Sequence, residues 1–330
     1  MTITHDLIII GAGPCGLSTA IEAKQQGLNP LVIDKGCVVN SIYGYPSFMQ
    51  FFSTPELLEV GGLPFITAGE KPMRGEALKY YRAVIKAADL DVHTYEEVKH
   101  VTREGDLFTV HTVRNGQEHS YQTPNLVMAT GYYDNPNYLG IPGEDLPKVS
   151  HYYKECHPYA GLDVIVVGGK NSAVDAAMDL HQAGARVSMV YRQGAFTDSV
   201  KPWVRPVIES ALKKGWISMY WNTNLIEIRE GEVVLDQEGK LFTVKNDTVF
   251  AMTGYHPNTD MLTTLGVQVD DETGAPIHDP ETMQTEVPGL FIAGVIAAGS
   301  NANSIFIENG RFHGQKIAAH LGQGAATHSS

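Results

Sequence analysis

Cysteine is scarce in this sequence: Cys15, Cys37 and Cys156 are the three in 330 residues. So few thiols argue against a disulfide framework and suit a reducing cytoplasm. No two of them stand at C-x-x-C spacing, and no Cys/His cluster has the spacing of a metal site, so no metal is expected. Long apolar runs are missing too, and nothing approaches the roughly 20 residues of a membrane span. The first apolar run begins a few residues after Met1, which leaves no room for a signal peptide and makes a cytoplasmic protein the expectation. Positive charge is in short supply, with 24 Lys and Arg against 37 Asp and Glu and a net charge of −13. That balance argues against nucleic acid or an anionic membrane as the main partner, but not against a local basic pocket for a phosphate-bearing ligand. Hydrophobic and charged contents of 43% and 18% are those of a globular protein, and 330 residues suffice for two cores.

What is present is concentrated in His5–Gly16, HDLIIIGAGPCG. Leu7 to Ile10 reads as a buried parallel strand. Gly11, Gly13 and Gly16 follow at G-x-G-x-x-G spacing, with Pro14 as a further contact to a ligand, and Leu17 to Gln26 reads as a helix that Gly27 closes. A second strand, Leu31 to Ile33, ends in Asp34. The residue types fit one chemistry. Gly11 permits a tight turn, Gly13 lets backbone approach a pyrophosphate, Gly16 lets helix and strand pack closely, and the helix N-terminus attracts the phosphates. Asp34 can accept both hydroxyls of an adenosine ribose.

Beyond Asp34, residues 35–46 read as a loop passing the ligand, with Lys35, Asn40 and Ser41 as contacts and Tyr43 and Tyr45 as aromatics able to flank it. A helix is expected over 75–88 with Leu78, Tyr81 and Ile85 on its buried stripe, then strands over 92–101, which carries the contact residue Val98, and 107–113. Leu126 to Met128 is a buried strand running into Ala129-Thr130-Gly131, and Pro136, Pro142 and Pro147 mark a connection.

The pattern then restarts. Val164 to Val167 leads into Gly168-Gly169-Lys170-Asn171-Ser172-Ala173, a helix to His181, and a strand from Arg186 to Val190 that ends in Tyr191-Arg192. Lys170 stands where the second signature glycine would. The strand end carries Arg192 where the first unit has Asp34, and arginine suits a ribose 2′-phosphate. With Lys201 as added charge, the first unit reads as an FAD site and the second as an NADPH site. Val249 to Met252 repeats the strand-Thr-Gly ending, and Leu290 to Ala293 ends at Gly294. A last helix is expected from a cap near Ser304 to Leu321, followed by a disordered tail over 322–330.

In this order GAGPCG, ATG, GGKNSA, MTGYHPN and LFIAG resemble the thioredoxin-reductase-like pyridine nucleotide flavoproteins over essentially the whole chain. That resemblance implies an α/β fold of two Rossmann-like, three-layer ββα/βαβ domains joined by two short crossing strands. The NADPH domain, 136–255, is inserted into an FAD domain made of 1–135 and 256–330. Longer stretches, among them KGCVVNSIYGYPSFMQFFS and IAGVIAAGSNANSIFIENGRFHG, are similar to the bacillithiol disulfide reductases. They imply an NADPH-dependent flavoprotein that reduces a low-molecular-weight thiol disulfide, with Cys15 as its active cysteine. Two departures from the wider group stand out. Tyr152 to Gly215 holds only Cys156, so no C-x-x-C dithiol serves thioredoxin, and Val295 replaces the usual Asp after the last FAD strand.

Cys15 lies in the first turn of a helix, where the dipole favours a thiolate. His151, His157, His256 and His313 are candidate proton donors to a leaving thiolate. The expected partners are a small-molecule disulfide and further copies of the chain. The alternatives are a ferredoxin/flavodoxin-NADP reductase, which needs no cysteine, and a flavin monooxygenase.

Overall fold

Residues 5–198, 200–301 and 304–327 are described by the computed structural model. They divide into two units, one of Met1–Tyr43, Met49–Asn135 and Tyr255–Ser330, the other of Gly44–Phe48 and Pro136–Gly254. The sequence-based division differs by one residue at the second crossing and in the five residues 44–48. These five go with the second unit because the Ser47 N–H donates to the Lys154 carbonyl at 2.9 Å and the Phe48 ring meets the Tyr153 ring edge-on at 6.3 Å.

In the first unit the strand Leu7–Ile10 is buried along its whole length and pairs on both sides. The parallel sheet runs Leu290–Ile292, Leu126–Met128, Leu7–Ile10, Pro30–Ile33, Asp91–His93. Apolar runs without alternation are what a sheet covered on both faces requires. The helix Pro14–Gln25 follows the first strand and packs against the C-terminal helix His313–Thr327, where a Cβ at Gly314 would lie 2.7 Å from Thr19 Cα. An antiparallel meander of Glu96–Glu104, Leu107–Arg114 and Gln117–Thr123 completes the unit.

The second unit repeats the plan. Its parallel sheet runs Ser218–Tyr220, Arg186–Val190, Asp163–Val167, Thr248–Ala251, Val149–Ser150, with the helix Asn171–Gln182 after the central strand. Its meander is Thr223–Ile228, Glu232–Gln237 and Lys240–Lys245. Val164, Val166, Val174, Ala177 and Phe250 form the core between sheet and helix. The expected α/β class with two dinucleotide-type folds therefore holds.

Several local expectations do not. Residues 40–44 form a short helix, Asn40–Gly44, held by Arg74, whose Nε donates to the Ile42 carbonyl at 3.1 Å and Nη2 to that of Tyr43 at 2.5 Å. The run 92–101 is two strands in two sheets, broken at Tyr95 with φ +56. The helix Arg74–Ala87 buries Ala77, Tyr80, Tyr81 and Val84, a stripe shifted from the expected one because Tyr80 turns inward to donate to the Leu63 carbonyl at 2.8 Å. The crossing segments form no strand among the described residues, the first following a turn in which the Asn135 N–H donates to the Tyr132 carbonyl at 3.1 Å, and they are joined by bonds from the Asn137 N–H to the Gly254 carbonyl at 2.9 Å and from the His256 N–H to that of Asn135 at 3.0 Å. The last helix is split into Ile307–Gly310, capped by Phe306, and His313–Thr327, so residues 322–327 are helical; 328–330 lie outside the described residues. No helix of the described residues is long and apolar enough to cross a membrane.

Candidate functional site

The C-terminal ends of four adjacent parallel strands in the first unit carry Gly294, Thr130 and Gly131, Gly11 to Gly16, and Asp34. This edge is where open α/β sheets bind their ligands. Gly11 has φ +116, and a Cβ there would lie 2.3 Å from the Ala129 carbonyl oxygen. A Cβ at Gly16 would lie 2.0 Å from the Gly11 oxygen, so helix and turn touch through that hydrogen. Gly13 differs: its Cβ would meet nothing within 4 Å. It caps the helix without a side-chain bond, and Pro14 follows without an N–H. Open space beside a helix start free of side-chain caps fits a pyrophosphate.

Asp34 is fixed by backbone: Oδ2 accepts the Ala12 N–H and Oδ1 the Gly36 N–H, both at 2.7 Å. Burial pushes this carboxyl above its ordinary value, and the two N–H bonds oppose the rise. Each oxygen keeps a lone pair for a ribose hydroxyl. Lys35 pairs with Asp134 at 3.0 Å. Asn40 lies against Gly36, whose Cβ would fall 2.4 Å from its Cγ, and accepts the Cys37 thiol at 3.5 Å. Ser41 is half-buried, Thr130 is exposed, and Val98 sits at a bulge in the meander. Gly131 has φ +69 with open space at its Cβ position.

Cys15 occupies the first turn, but its environment is not that of an activated thiol. Its sulfur is wedged between Gly294 and Gly310, since a Cβ on either would lie 3.0 Å from Sγ. Burial pushes the thiol up to about 12, outweighing the helix dipole that the sequence suggests. Gly310 carries no sequence signal linking it to Cys15, and only the fold brings it there. The Gly294 N–H donates to His313 Nδ1 at 3.1 Å, and burial drops His313 to about 4, with Lys316 and His278 adding to the fall. At neutral pH His313 is therefore a neutral acceptor at Nδ1 and no imidazolium proton donor. His151 is also held below its ordinary value by burial, against the pull of Glu144.

His313 gives a pH prediction. Its folded value lies below the unfolded one, so the unfolded chain binds the extra proton between about 4 and 6.5. The stabilisation it contributes is complete above pH 6.5 and is lost as pH falls towards 4. In urea titrations the wild-type midpoint should decline across that window, and in His313→Asn the decline should be shallower. Parallel curves would show that His313 does not contribute.

In the second unit Gly168 has φ +132 and would place a Cβ 2.5 Å from the Met252 oxygen. Lys170 caps the helix at φ −102, ψ −179, the extended geometry Gly13 has in the first unit, so a lysine fits the backbone and its side chain is exposed. Gly169 packs under the Tyr191 ring, 2.5 Å from its Cβ position, and Ala173 stands in the helix where the third glycine would. Asn171 Oδ1 accepts the Lys201 N–H at 2.9 Å, tying that loop to the helix start, and Ser172 is exposed beside it. The Lys201 ammonium lies 5.9 Å from the Trp203 ring centre. Arg192 is exposed at its strand end and forms no hydrogen bond or ion pair among the described residues. Among the described residues no cluster of three or more His, Cys, Asp or Glu could hold a metal ion.

Two glycine turns, each feeding a helix from a parallel sheet, define a dinucleotide-binding fold used twice. The chain belongs to the pyridine nucleotide-disulphide oxidoreductases, whose family pattern matches residues 8–294. Membership implies a flavin and a pyridine nucleotide as the working cofactors. Bacilliredoxin reductase Bdr of Bacillus subtilis (strain 168) is 53% identical over 97% of this chain and 98% of its own length. The solved bacillithiol disulfide reductase Bdr (YpdA) from Bacillus cereus superposes with a TM-score of 0.95 at 50% identity, covering 97% of this chain and 99% of that one. The solved bacillithiol disulfide reductase Bdr (YpdA) from Staphylococcus aureus superposes with a TM-score of 0.93 at 46% identity, covering 97% of this chain and 98% of that one. The narrower resemblance drawn from the sequence, to the bacillithiol disulfide reductases, holds.

Proposed function

We propose that the chain reduces bacillithiol disulfide with electrons from NADPH, using FAD in the first unit and NADPH in the second. The observation that carries the cofactor assignment is the contrast between two equivalent strand ends. One holds Asp34, oriented by two backbone N–H groups; the other holds Arg192, exposed and without a partner among the described residues. An acid accepts ribose hydroxyls, while a guanidinium pairs with a 2′-phosphate. The names of the solved relatives support the disulfide. Gly11, Gly13 and Gly16 would admit the FAD pyrophosphate, and Gly168 to Ala173 with Lys170 would admit that of NADPH. FAD held there would supply the hydride chemistry that carries two electrons from NADPH to the disulfide, whose S–S bond breaks and, with two protons, gives two thiols. Cys15 is the thiol proposed to engage the disulfide.

Anaerobic NADPH should bleach the flavin absorbance, and bacillithiol disulfide should restore it. A flavin that NADPH reduces but no disulfide reoxidises would overturn the reading. Arg192→Ala should raise KM for NADPH about tenfold, corresponding to roughly 1.5 kcal/mol for a charge-assisted contact, and leave KM for NADH within about twofold. Equal losses with both would remove Arg192 from the 2′-phosphate site. The enclosed Cys15 sulfur favours one second reading, a ferredoxin/flavodoxin-NADP reductase. The name of the Bacillus subtilis relative adds bacilliredoxin as a protein acceptor to include in the same reoxidation assay.

A further inference from the structure

Glu96 begins a meander strand and is fully buried. A buried carboxylate is costly unless its oxygens are satisfied, and here they are. Oε1 accepts the Thr112 hydroxyl, Oε2 faces His93 Nδ1 at 3.0 Å, the Tyr121 hydroxyl bonds to the carboxylate, and Arg114 Nη1 stands 3.9 Å away. Burial alone would raise this carboxyl; Thr112, Tyr121 and His93 together hold it below its ordinary value. The carboxylate is thus a fixed charge inside the unit.

What it fixes is a turn. The Asp34 N–H donates to the His93 carbonyl at 2.9 Å, the Tyr95 N–H to that of Gly36 at 3.0 Å, and the Glu96 N–H to that of Asp34 at 3.0 Å. Residues 93–96 therefore grip the backbone of 34–36 on both sides of the Asp34 side chain. The turn passes through Tyr95 at φ +56, a left-handed conformation that a tyrosine adopts only when its surroundings impose it. The side-chain bond from His93 to Glu96 closes the turn across that strained residue. We infer that Glu96 is a positioning residue for the nucleotide: its buried carboxylate locks the turn that aims Asp34 at the adenosine ribose. The inference rests on the FAD reading of the first unit.

A double-mutant cycle tests it, because residues that act through one another are not additive. FAD is titrated into the apoprotein of each variant and flavin fluorescence is followed. Asp34→Ala should raise Kd at least tenfold, which tests the FAD reading alone; a Kd within twofold of wild type would overturn that reading whatever Glu96 does. Glu96→Gln keeps the shape and removes the charge, and should raise Kd about tenfold. In the Asp34→Ala background the same change should add less than twofold. A merely structural Glu96 would weaken binding by the same factor in both backgrounds, and that result overturns the inference, as does a Glu96→Gln Kd within twofold of wild type. If Glu96→Gln does not fold, Thr112→Val removes one donor to the carboxylate, and its cycle with Asp34→Ala decides by the same criterion.

Discussion

Gly16→Ala should yield a protein that melts early and retains no FAD, whereas Gly13→Ala should fold normally and still purify colourless. The two glycines of one motif fail for different reasons. A methyl at 16 falls 2.0 Å from the Gly11 carbonyl oxygen, and neither backbone can give way without opening the contact between helix and turn. Such overpacking costs about 1–3 kcal/mol or more. A methyl at 13 meets nothing within 4 Å, so the unliganded fold accepts it, but it fills the space proposed for the pyrophosphate. Thermal melts of the apoproteins and flavin content by absorbance separate the two. A Gly13→Ala protein that retains stoichiometric FAD would remove Gly13 from the cofactor site. Normal melting of Gly16→Ala would show that the contact with Gly11 relaxes at little cost.

Cys15→Ala should keep both FAD and hydride transfer from NADPH, because alanine fits between Gly294 and Gly310 and that step needs no thiol. Disulfide reduction should fall at least tenfold, about 1.4 kcal/mol of transition-state stabilisation. Stopped-flow flavin absorbance follows the two half-reactions separately, with NADPH alone and then with bacillithiol disulfide. The thiol value of about 12 adds a signature. Only the thiolate attacks a disulfide, so the wild-type second half-reaction should accelerate as pH rises through the alkaline range, and the variant's should not. A variant that reoxidises as fast as wild type would make Cys15 structural and bring the ferredoxin/flavodoxin reductase reading forward.

Strands of the parallel sheets that are unbroken apolar runs, such as Leu7–Ile10 and Leu290–Ile292, were legible in the sequence, whereas the short edge strands Val149–Ser150 and Ser218–Tyr220 carry polar residues and were not read. The turns were legible because close backbone approach admits only glycine at 11 and 16. Gln117–Thr123 was not: its exposed, polar QEHSYQT forms the outer strand of a meander, where pairing leaves no apolar trace. Nor was the break at Tyr95, since nothing in a tyrosine between strand-forming residues announces a positive φ. The position of Cys15 on a helix start could be read from the motif. Its enclosure by Gly294 and Gly310 could not, because burial is made by segments almost a chain length away. Glu96 was missed for a similar reason: a glutamate beginning E-E-V looks like a solvated strand residue until Thr112, Tyr121 and His93 are seen around it.

The placement of the second unit within the first has a consequence for how the chain is made. Every strand of the second unit's sheet lies within 136–254, so that sheet is complete while the ribosome still has the rest to add. The first unit must wait, with the apolar edge of Leu126–Met128 open until Leu290–Ile292 emerges, and an unpaired edge of that kind invites association with another chain. Closing it demands that segments roughly 160 residues apart meet, an entropic cost that grows with the length of free chain between them. Once folded, the second unit removes most of that length. The bond from the Asn137 N–H to the Gly254 carbonyl holds the two exits of the insertion side by side, so the late-made segment starts its search next to its partner. The insertion thus acts as a clip that sets the order of assembly. Substitutions that slow its folding should lengthen the life of the open edge and show up first as aggregation during synthesis, before any loss of catalytic rate in the finished protein.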